Sequence, residues 1–357
     1  MLIVLLLAAL PLLFTVVNSL SMRVVRGEDA KKVHCSVSIL IPMRDEITNV
    51  DGVIAAALTS TLLTEFEIIV LDDQSVDGTA ERLGQYPKVQ TILGASLPQG
   101  WLGKNFACHQ LVAHSSGEYL VFVDADVRLA PNAVAAAISK LDALGWDFIS
   151  PYPRQLAESF FERLIQPLLQ WSWLSSLPLR LAERGTFASM VIANGQFLIV
   201  KRSSYLKVGG HKAIRHEVLD DLELARLLVK DGFKGGVAEG SALATCRMYD
   251  NRSDLFNGYT KSLWRAFGSP FGAFLSATFL FVTGVLPLVL AIAGLRAAWL
   301  GYFFLVLSRY VVAARTKSTP STALLHPLAI VTLVYLIAKS CYQKSRGQLR
   351  WRGRSVN

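Results

Sequence analysis

The sequence predicts an α/β domain on a mostly parallel sheet, set between apolar segments at both ends of the chain. Three observations carry this. Short, solidly apolar runs alternate with stretches of helical spacing through the middle. Several of those runs stop at charged residues. The first twenty residues and the region after Phe271 are apolar and carry little charge.

The chain has 357 residues and is 52% hydrophobic, with a mean hydropathy of +0.39. That is one ordinary domain with roughly a hundred residues left over. Met1 to Leu20 is uncharged and has the length of a spanning helix. No basic residue precedes it and no small-x-small site follows, so it reads as an uncleaved anchor. Arg23, Arg26, Lys31 and Lys32 come next and place its C-terminal end in the cytoplasm.

The middle of the chain follows. "VSILIP", Val37 to Pro42, is a strand, and Asp51 to Leu63 has helical spacing. "FEIIVLDD" closes on Asp72 and Asp73 before a helix near Gly78 to Gln85. "VQTIL" and then Lys104 to Ser115 repeat the alternation. "YLVFVDADVRL" supplies the fourth strand, Tyr119 to Asp124, and Pro131 to Leu141 the helix after it. Strands buried on both faces read as continuous apolar runs. Ligands in such sheets bind beyond the carboxyl ends of the strands, where Arg44 to Glu46, Asp72 to Asp73 and Asp124 to Asp126 all fall.

Gln155 to Arg184 carries two tryptophans, two phenylalanines and flanking arginines. It fits a segment lying in a membrane interface and equally a core helix, broken at Pro167 and Pro178 in either case. Phe271 to Leu295, interrupted by Gly284 and Pro287, Ala297 to Ala314, with Arg309, and Thr322 to Ala338, with His326 and Pro327, are three further apolar segments. Three full crossings after a cytoplasmic domain would leave the basic tail (Lys344, Arg346, Arg350, Arg352, Arg354) outside, against the positive-inside rule. One of the three is therefore expected to be re-entrant or interfacial.

The net charge of +9 sits mostly beside the apolar runs, which points to anionic lipid headgroups and not to nucleic acid. Cys35, Cys108, Cys246 and Cys341 have neither CxxC spacing nor paired histidines, so no disulfide framework or zinc site is indicated and a reducing compartment is expected.

Asp124 and Asp126, one residue apart on an extended chain, point to the same side and repel. A divalent cation relieves this, Mg²⁺ or Mn²⁺ taking one or two carboxylates and completing its shell with water and substrate phosphates. The absence of GxGxxG and GxxxxGK[ST] argues against hydride transfer and P-loop hydrolysis. A metal-held diphosphate suits departure of a nucleoside diphosphate, and the attacking group then needs a general base. "HEVLDDLELARLLVKDG" offers Asp220 and Asp221 at the start of a helical run. Asp220 also fits N-capping, although capping needs only one of the pair.

"VSILIPMRDE", "VLDDQSVDGT", "PQGWLGKNFACHQL", "YLVFVDADVRL", "NGQFLIVKRSSYLKVGGH" and "EVLDDLELA" resemble, in order and spacing, the family 2 glycosyltransferases of the GT-A fold. The likeness runs over roughly residues 35–266 and to "WRGRSV" in the tail. It is nearest to the membrane-bound branch that glycosylates carotenoids and is related to hopanoid-associated transferases. The resemblance implies that Pro42, Arg44 and Glu46 line the nucleotide pocket and that Asp73 binds the uracil or ribose. It implies metal binding by Asp124 and Asp126, with Asp124 also on the nucleotide side. Asp221 then corresponds to the catalytic base, and Asp220 stands where the family commonly has glutamate. Lys104 meets the diphosphate or the acceptor on this reading, or is a solvated lysine at a helix start.

Processive members carry Gln-x-x-Arg-Trp. Here "YTKSLWRAF" has Trp264 and Arg265 in reverse order and no glutamine, which favours single-sugar transfer, with both residues on the acceptor side. The expectation is a multi-pass protein of a bacterial inner or plasma membrane with its catalytic domain, roughly 33–266, in the cytoplasm. Its substrates would be a nucleotide-sugar, with uridine diphosphate as carrier, and a lipid acceptor, a carotenoid or related isoprenoid. A processive polysaccharide synthase and a non-catalytic membrane scaffold are the alternatives.

Overall fold

The computed structural model describes residues 2–183, 187–351 and 354–355. Arg184, and Arg352 with its neighbour Gly353 in the tail, lie outside the described residues. The chain divides into two compact units: residues 23–154 with 181–246, and residues 1–22 with 155–180 and 247–357.

The first unit is built on a sheet. Its strands are β1 (Val33–Met43), β2 (Leu63–Asp72), β3 (Gln90–Leu93), β4 (Tyr119–Val123), β5 (Val127–Leu129), β6 (Phe148–Tyr152), β7 (Arg154–Gln155, at the unit boundary), β8 (Phe197–Lys201), β9 (Gly235–Glu239) and β10 (Ala244–Cys246). Seven of them form one sheet in the order β3-β2-β1-β4-β8-β6-β9. Every neighbouring pair is parallel except those made by β8, which runs against both β4 and β6. β5 and β10 pair separately and antiparallel.

β4 is buried at all five positions, because helices cover both faces of the sheet. Leu40, Leu120, Phe122, Leu198 and Val200 share a core with Ala107, Cys108 and Leu111 of one helix and Leu224, Ala225 and Leu228 of another. The alternate positions Ile39 and Ile41 turn the other way, as the two-residue period of a strand requires. Pro42 is tolerated inside β1 because β4 stops pairing at Leu40, so no neighbour on that side needs the N–H that proline lacks.

The helices named in chain order are α1 (Leu2–Ser21), α2 (Val50–Leu58), α3 (Thr79–Leu83), α4 (Gly103–Ala113), α5 (Ala133–Ala143), α6 (Phe160–Ile165), α7 (Pro167–Leu174), α8 (Leu179–Ala182), α9 (Arg202–Lys207), α10 (Gly210–Ala213), α11 (Asp220–Lys230), α12 (Arg252–Ala266), α13 (Pro270–Gly284), α14 (Leu286–Ile292), α15 (Ala298–Thr316) and α16 (His326–Ser345). One expected boundary is corrected. The helix expected to reach Leu63 stops at Leu58, and Leu63 opens β2. "TSTLLT" explains this, since its threonines favour extended backbone, and Leu62 takes a positive φ of 63° at the turn between the elements.

The second unit is helical. α1 runs parallel to α15: a side chain at Gly301 would meet Leu5 and Ala8, and Arg315 donates to the Met22 carbonyl at 3.2 Å. Asn18 anchors the turn after α7, its amide donating to Leu174 and Leu177 carbonyls at 2.8 and 2.7 Å. Trp171 and Trp173 are both buried. The run from Phe271 breaks into α13 and α14, as Gly284 and Pro287 suggested. Among the described residues three helices are long and apolar enough to cross a membrane: Ile3–Ser21, Pro270–Ile292 and Ala323–Ser345. α15, which carries Arg309 and Arg315, is not one of them.

Candidate active site

The carboxyl ends of β1, β2 and β4 bring their charged residues to one edge of the sheet unit. Beyond β1, the loop Arg44 to Asn49 is laced to the loop after β2. Arg44 Nη1 donates to the Asp73 carbonyl at 2.6 Å and lies 3.9 Å from its carboxylate. The Asp45 and Glu46 amides donate to the hydroxyls of Ser75 and Thr79. Asp45 holds this turn with a φ of 52° and accepts from the Val76 amide. Asp73 itself is almost fully buried. Glu46 accepts from the Asn49 amide at 2.8 Å, and Asn49 in turn accepts from Arg128 at 2.9 Å.

Beyond β4 the chain turns at once, the Val127 amide donating to the Asp124 carbonyl. Asp124 faces Lys104, the second residue of α4, whose Nζ is 2.8 Å from Oδ1 and 3.0 Å from Oδ2. The same ammonium lies 3.6 Å from Asp220 Oδ2. Burial works against its charge, but Asp124 and Asp220 outweigh that and hold the lysine pKa well above its ordinary value.

Asp126 is in a different setting. The Cys246 thiol, at the end of β10, hydrogen-bonds its carboxyl, while Oδ1 is buried with no partner among the described residues. Burial, followed by the charge of Asp124, pushes its pKa up to about 7, with the Cys246 bond acting the other way. The carboxylate stays crowded, with one orphaned oxygen, despite the charges of Lys104 and Arg128, and a divalent cation would fit beside it. Among the described residues no three His, Cys, Asp or Glu side chains converge to hold an ion by themselves. The donor set therefore suits an ion that completes its shell from a substrate diphosphate.

α11 starts with Asp220 and Asp221. Asp221 Oδ2 accepts from the Gly195 amide and Oδ1 from the Leu222 amide, both at 2.7 Å. The Gly195 bond exists because β8 is reversed: it enters the sheet at the edge where its neighbours leave, so the residues before it point amides into the site. Burial and then the Asp220 charge push the Asp221 pKa up to about 6, against Lys104 and the two amides.

A model of the family described as glycosyl transferase family 2 matches residues 38–219, just over half of the chain. The chain belongs to glycosyl transferase family 2. It is similar to the 4,4'-diaponeurosporenoate glycosyltransferase of Staphylococcus aureus, 23% identical over 346 residues that cover 91% of this chain and 89% of the relative. A mannosyltransferase from Pyrobaculum calidifontis, solved in complex with GDP-Man and Mn²⁺, matches over 96% of this chain and 97% of its own with a TM-score of 0.57 and 17% identity. That likeness is one of fold. The chain is a glycosyltransferase with a GT-A sheet unit and apolar helices at its N terminus and in its C-terminal region.

In this glycosyltransferase Lys104, Asp124 and Asp220 converge, with Asp221 beside them, and Arg44 and Asp73 meet in a neighbouring cluster. Trp264 and Arg265 belong to α12 of the helical unit. There the Trp264 amide donates to Ser340 of α16 at 2.9 Å and Lys344 stacks over its ring. Sequence reasoning missed Gly195, Cys246 and Arg128 as site residues. Arg128 stood inside the stretch "YLVFVDADVRL", just past its strand, whereas Gly195 and Cys246 reach the site through β8 and β10 and show no spacing signal.

Proposed function

We propose that this glycosyltransferase moves a single sugar, with inversion, from a nucleoside diphosphate onto a hydroxyl of a lipid acceptor at the cytoplasmic face of a plasma membrane. The observation that carries the reading is the placement of Asp221: a carboxylate fixed by two amides and raised toward neutrality, next to the Lys104 cation that also holds Asp124. A base needs this combination of fixed direction and a pKa near the working pH.

As the acceptor oxygen bonds to the anomeric carbon, its proton passes to Asp221 and the carbon–oxygen bond to the diphosphate breaks, the electron pair leaving with the diphosphate. Attack and departure on opposite sides give inversion. Lys104 lies between the two events and offsets negative charge on either side of the transfer. Asp124 and Asp126 would hold Mg²⁺ or Mn²⁺, which when bound supplies positive charge to the leaving diphosphate. Pro42, Arg44, Glu46 and Asp73 form the nucleotide side, with uridine as the first base to test. Trp264 and Arg265 are assigned to the acceptor side.

Three apolar helices and the name of the Staphylococcus relative support an isoprenoid acceptor such as a carotenoid. That name denotes an acid and favours a second reading, transfer to a carboxyl. A carboxylate carries no proton at neutral pH and has no use for Asp221, so the two readings separate on one variant. The test is the full chain in nanodiscs with Mn²⁺, uridine diphosphate sugars and carotenoid alcohols or acids, with lipid products read by mass spectrometry. Monoglycosyl lipid that disappears in Asp221→Asn, with donor binding intact, is expected. Polymer would identify a processive synthase, and absence of metal-dependent donor binding or hydrolysis would leave the scaffold.

A further inference from the structure

The helical unit buries a cation that sugar transfer does not use. Arg309 of α15 is only 4% exposed. Its one polar contact among the described residues is from Nη1 to Nδ1 of His326, at 3.4 Å, and no carboxylate pairs with it. A guanidinium is permanently charged and has five N–H donors. Such a group inside apolar helices calls for a counter-charge.

His326, on the neighbouring helix, holds the guanidinium from one side. Because the guanidinium can only donate, Nδ1 accepts and the imidazole proton sits on Nε2. Nε2 is buried without a partner, although His326 is wholly buried. The ring is held in place by Trp171, edge-on at 4.7 Å between centroids, and Trp171 is fixed by its bond to Ser308 at 2.8 Å. A side chain at Gly284 would come within 3.4 Å of Nε2. Gly284 is where α13 breaks, since Pro287 has no N–H for the Thr283 carbonyl. A broken helix beside unpaired polar groups is a recurring form of ligand site in apolar surroundings.

We propose that Arg309, oriented by His326, binds the oxyanion headgroup, carboxylate or phosphate, of an acidic lipid. Nδ1 engages only one of the guanidinium donors, and the others suit a group with two or more acceptor oxygens. The ligand carries an apolar chain because the neighbours of the pair, Tyr310, Leu325 and Leu328, expose large apolar surface, and α16 is one of the helices able to cross a membrane. This site stands independently of the transfer reaction.

The test uses the purified full chain in phosphatidylcholine nanodiscs, alone or with phosphatidylglycerol, oleate or inorganic phosphate, reading thermal unfolding and the lipid retained in native mass spectrometry. The wild type is expected to gain stability with an acidic lipid and retain it. Stabilisation by phosphatidylglycerol alone assigns a phosphate headgroup, and by oleate alone a carboxylate. In Arg309→Gln the acidic lipid should bind at least about tenfold more weakly, the scale of a lost charge-assisted contact. The lipid-dependent increment should vanish, while Lys317→Gln keeps it. If Arg309→Gln does not fold, His326→Asn serves the same comparison, since the increment is read within each variant. Equal lipid retention by wild type and variant would overturn the proposal. So would stabilisation by inorganic phosphate alone, or a variant that loses stability equally in every lipid.

Discussion

The Lys104 ammonium lies 2.8 Å from one oxygen of Asp124 and 3.6 Å from an oxygen of Asp220, so a single cation joins the end of β4 to the start of α11. The two segments are about a hundred residues apart in the chain, and each brings a pair of carboxylates. Without Lys104 the Asp124 and Asp220 carboxylates would share this edge with no cation between them.

Lys104→Met should therefore lower kcat by about a hundredfold, the scale of one lost electrostatic contact to a developing charge. Steady-state kinetics with donor and acceptor varied separately check this, and an effect confined to donor KM would contradict it.

Asp221→Asn should reduce kcat for a hydroxyl acceptor by about 10³-fold, in the range expected for loss of a positioned base. Titration with the nucleotide should give unchanged affinity, because the Asp221 carboxylate is bound by amides and not by the nucleotide loops.

In the proposed role Asp221 works as a carboxylate, and burial with the Asp220 charge pushes its pKa up to about 6. Its active form is present above that value and disappears as pH falls through it. The rate with a hydroxyl acceptor should accordingly rise between pH 5 and 7 and then level. Lys104 lowers this pKa, so the midpoint should move upward in Lys104→Met. A flat profile in both proteins would remove Asp221 from proton transfer.

Asp126→Asn should abolish the stabilisation that Mn²⁺ and uridine diphosphate give together, measured as a shift in thermal midpoint. With the repelling charge gone, the variant should be at least as stable as the wild type without metal. Retained Mn²⁺-dependent binding would place the ion elsewhere.

Gly117→Ala tests the sheet away from the chemistry. A Cβ there would lie 2.5 Å from the Ser38 amide nitrogen, and backbone cannot yield as a side-chain tip does. Overpacking of this kind costs about 1–3 kcal/mol, to be read from thermal unfolding, with kinetic constants near wild type at low temperature.

The strand and helix order of the sheet unit was legible because buried parallel strands are solidly apolar and their ends abruptly charged, as β4 and its two aspartates illustrate. Asp124, Asp220 and Lys104 were legible through residue type and position at element ends, and the structure brings them together. Cys246 was not: its spacing marks only a free thiol, and pairing of β10 with β5 is what carries it to Asp126. Gly195 contributes an amide, which every residue but proline possesses, so no side-chain pattern marks it. The early end of α2 was missed because apolar spacing continues through Leu62 and Leu63 while the threonines around them prefer extended backbone.

The reversal of β8 makes the position of Asp221 hostage to strand alignment. Phe197 stands opposite Val123, and pairing continues residue by residue to Lys201 opposite Tyr119. A slip of one residue would exchange the side chains on the two buried faces of β8, misfitting both layers, and draw the Gly195 amide away from the carboxylate. An insertion within β8 would therefore remove folding and turnover together.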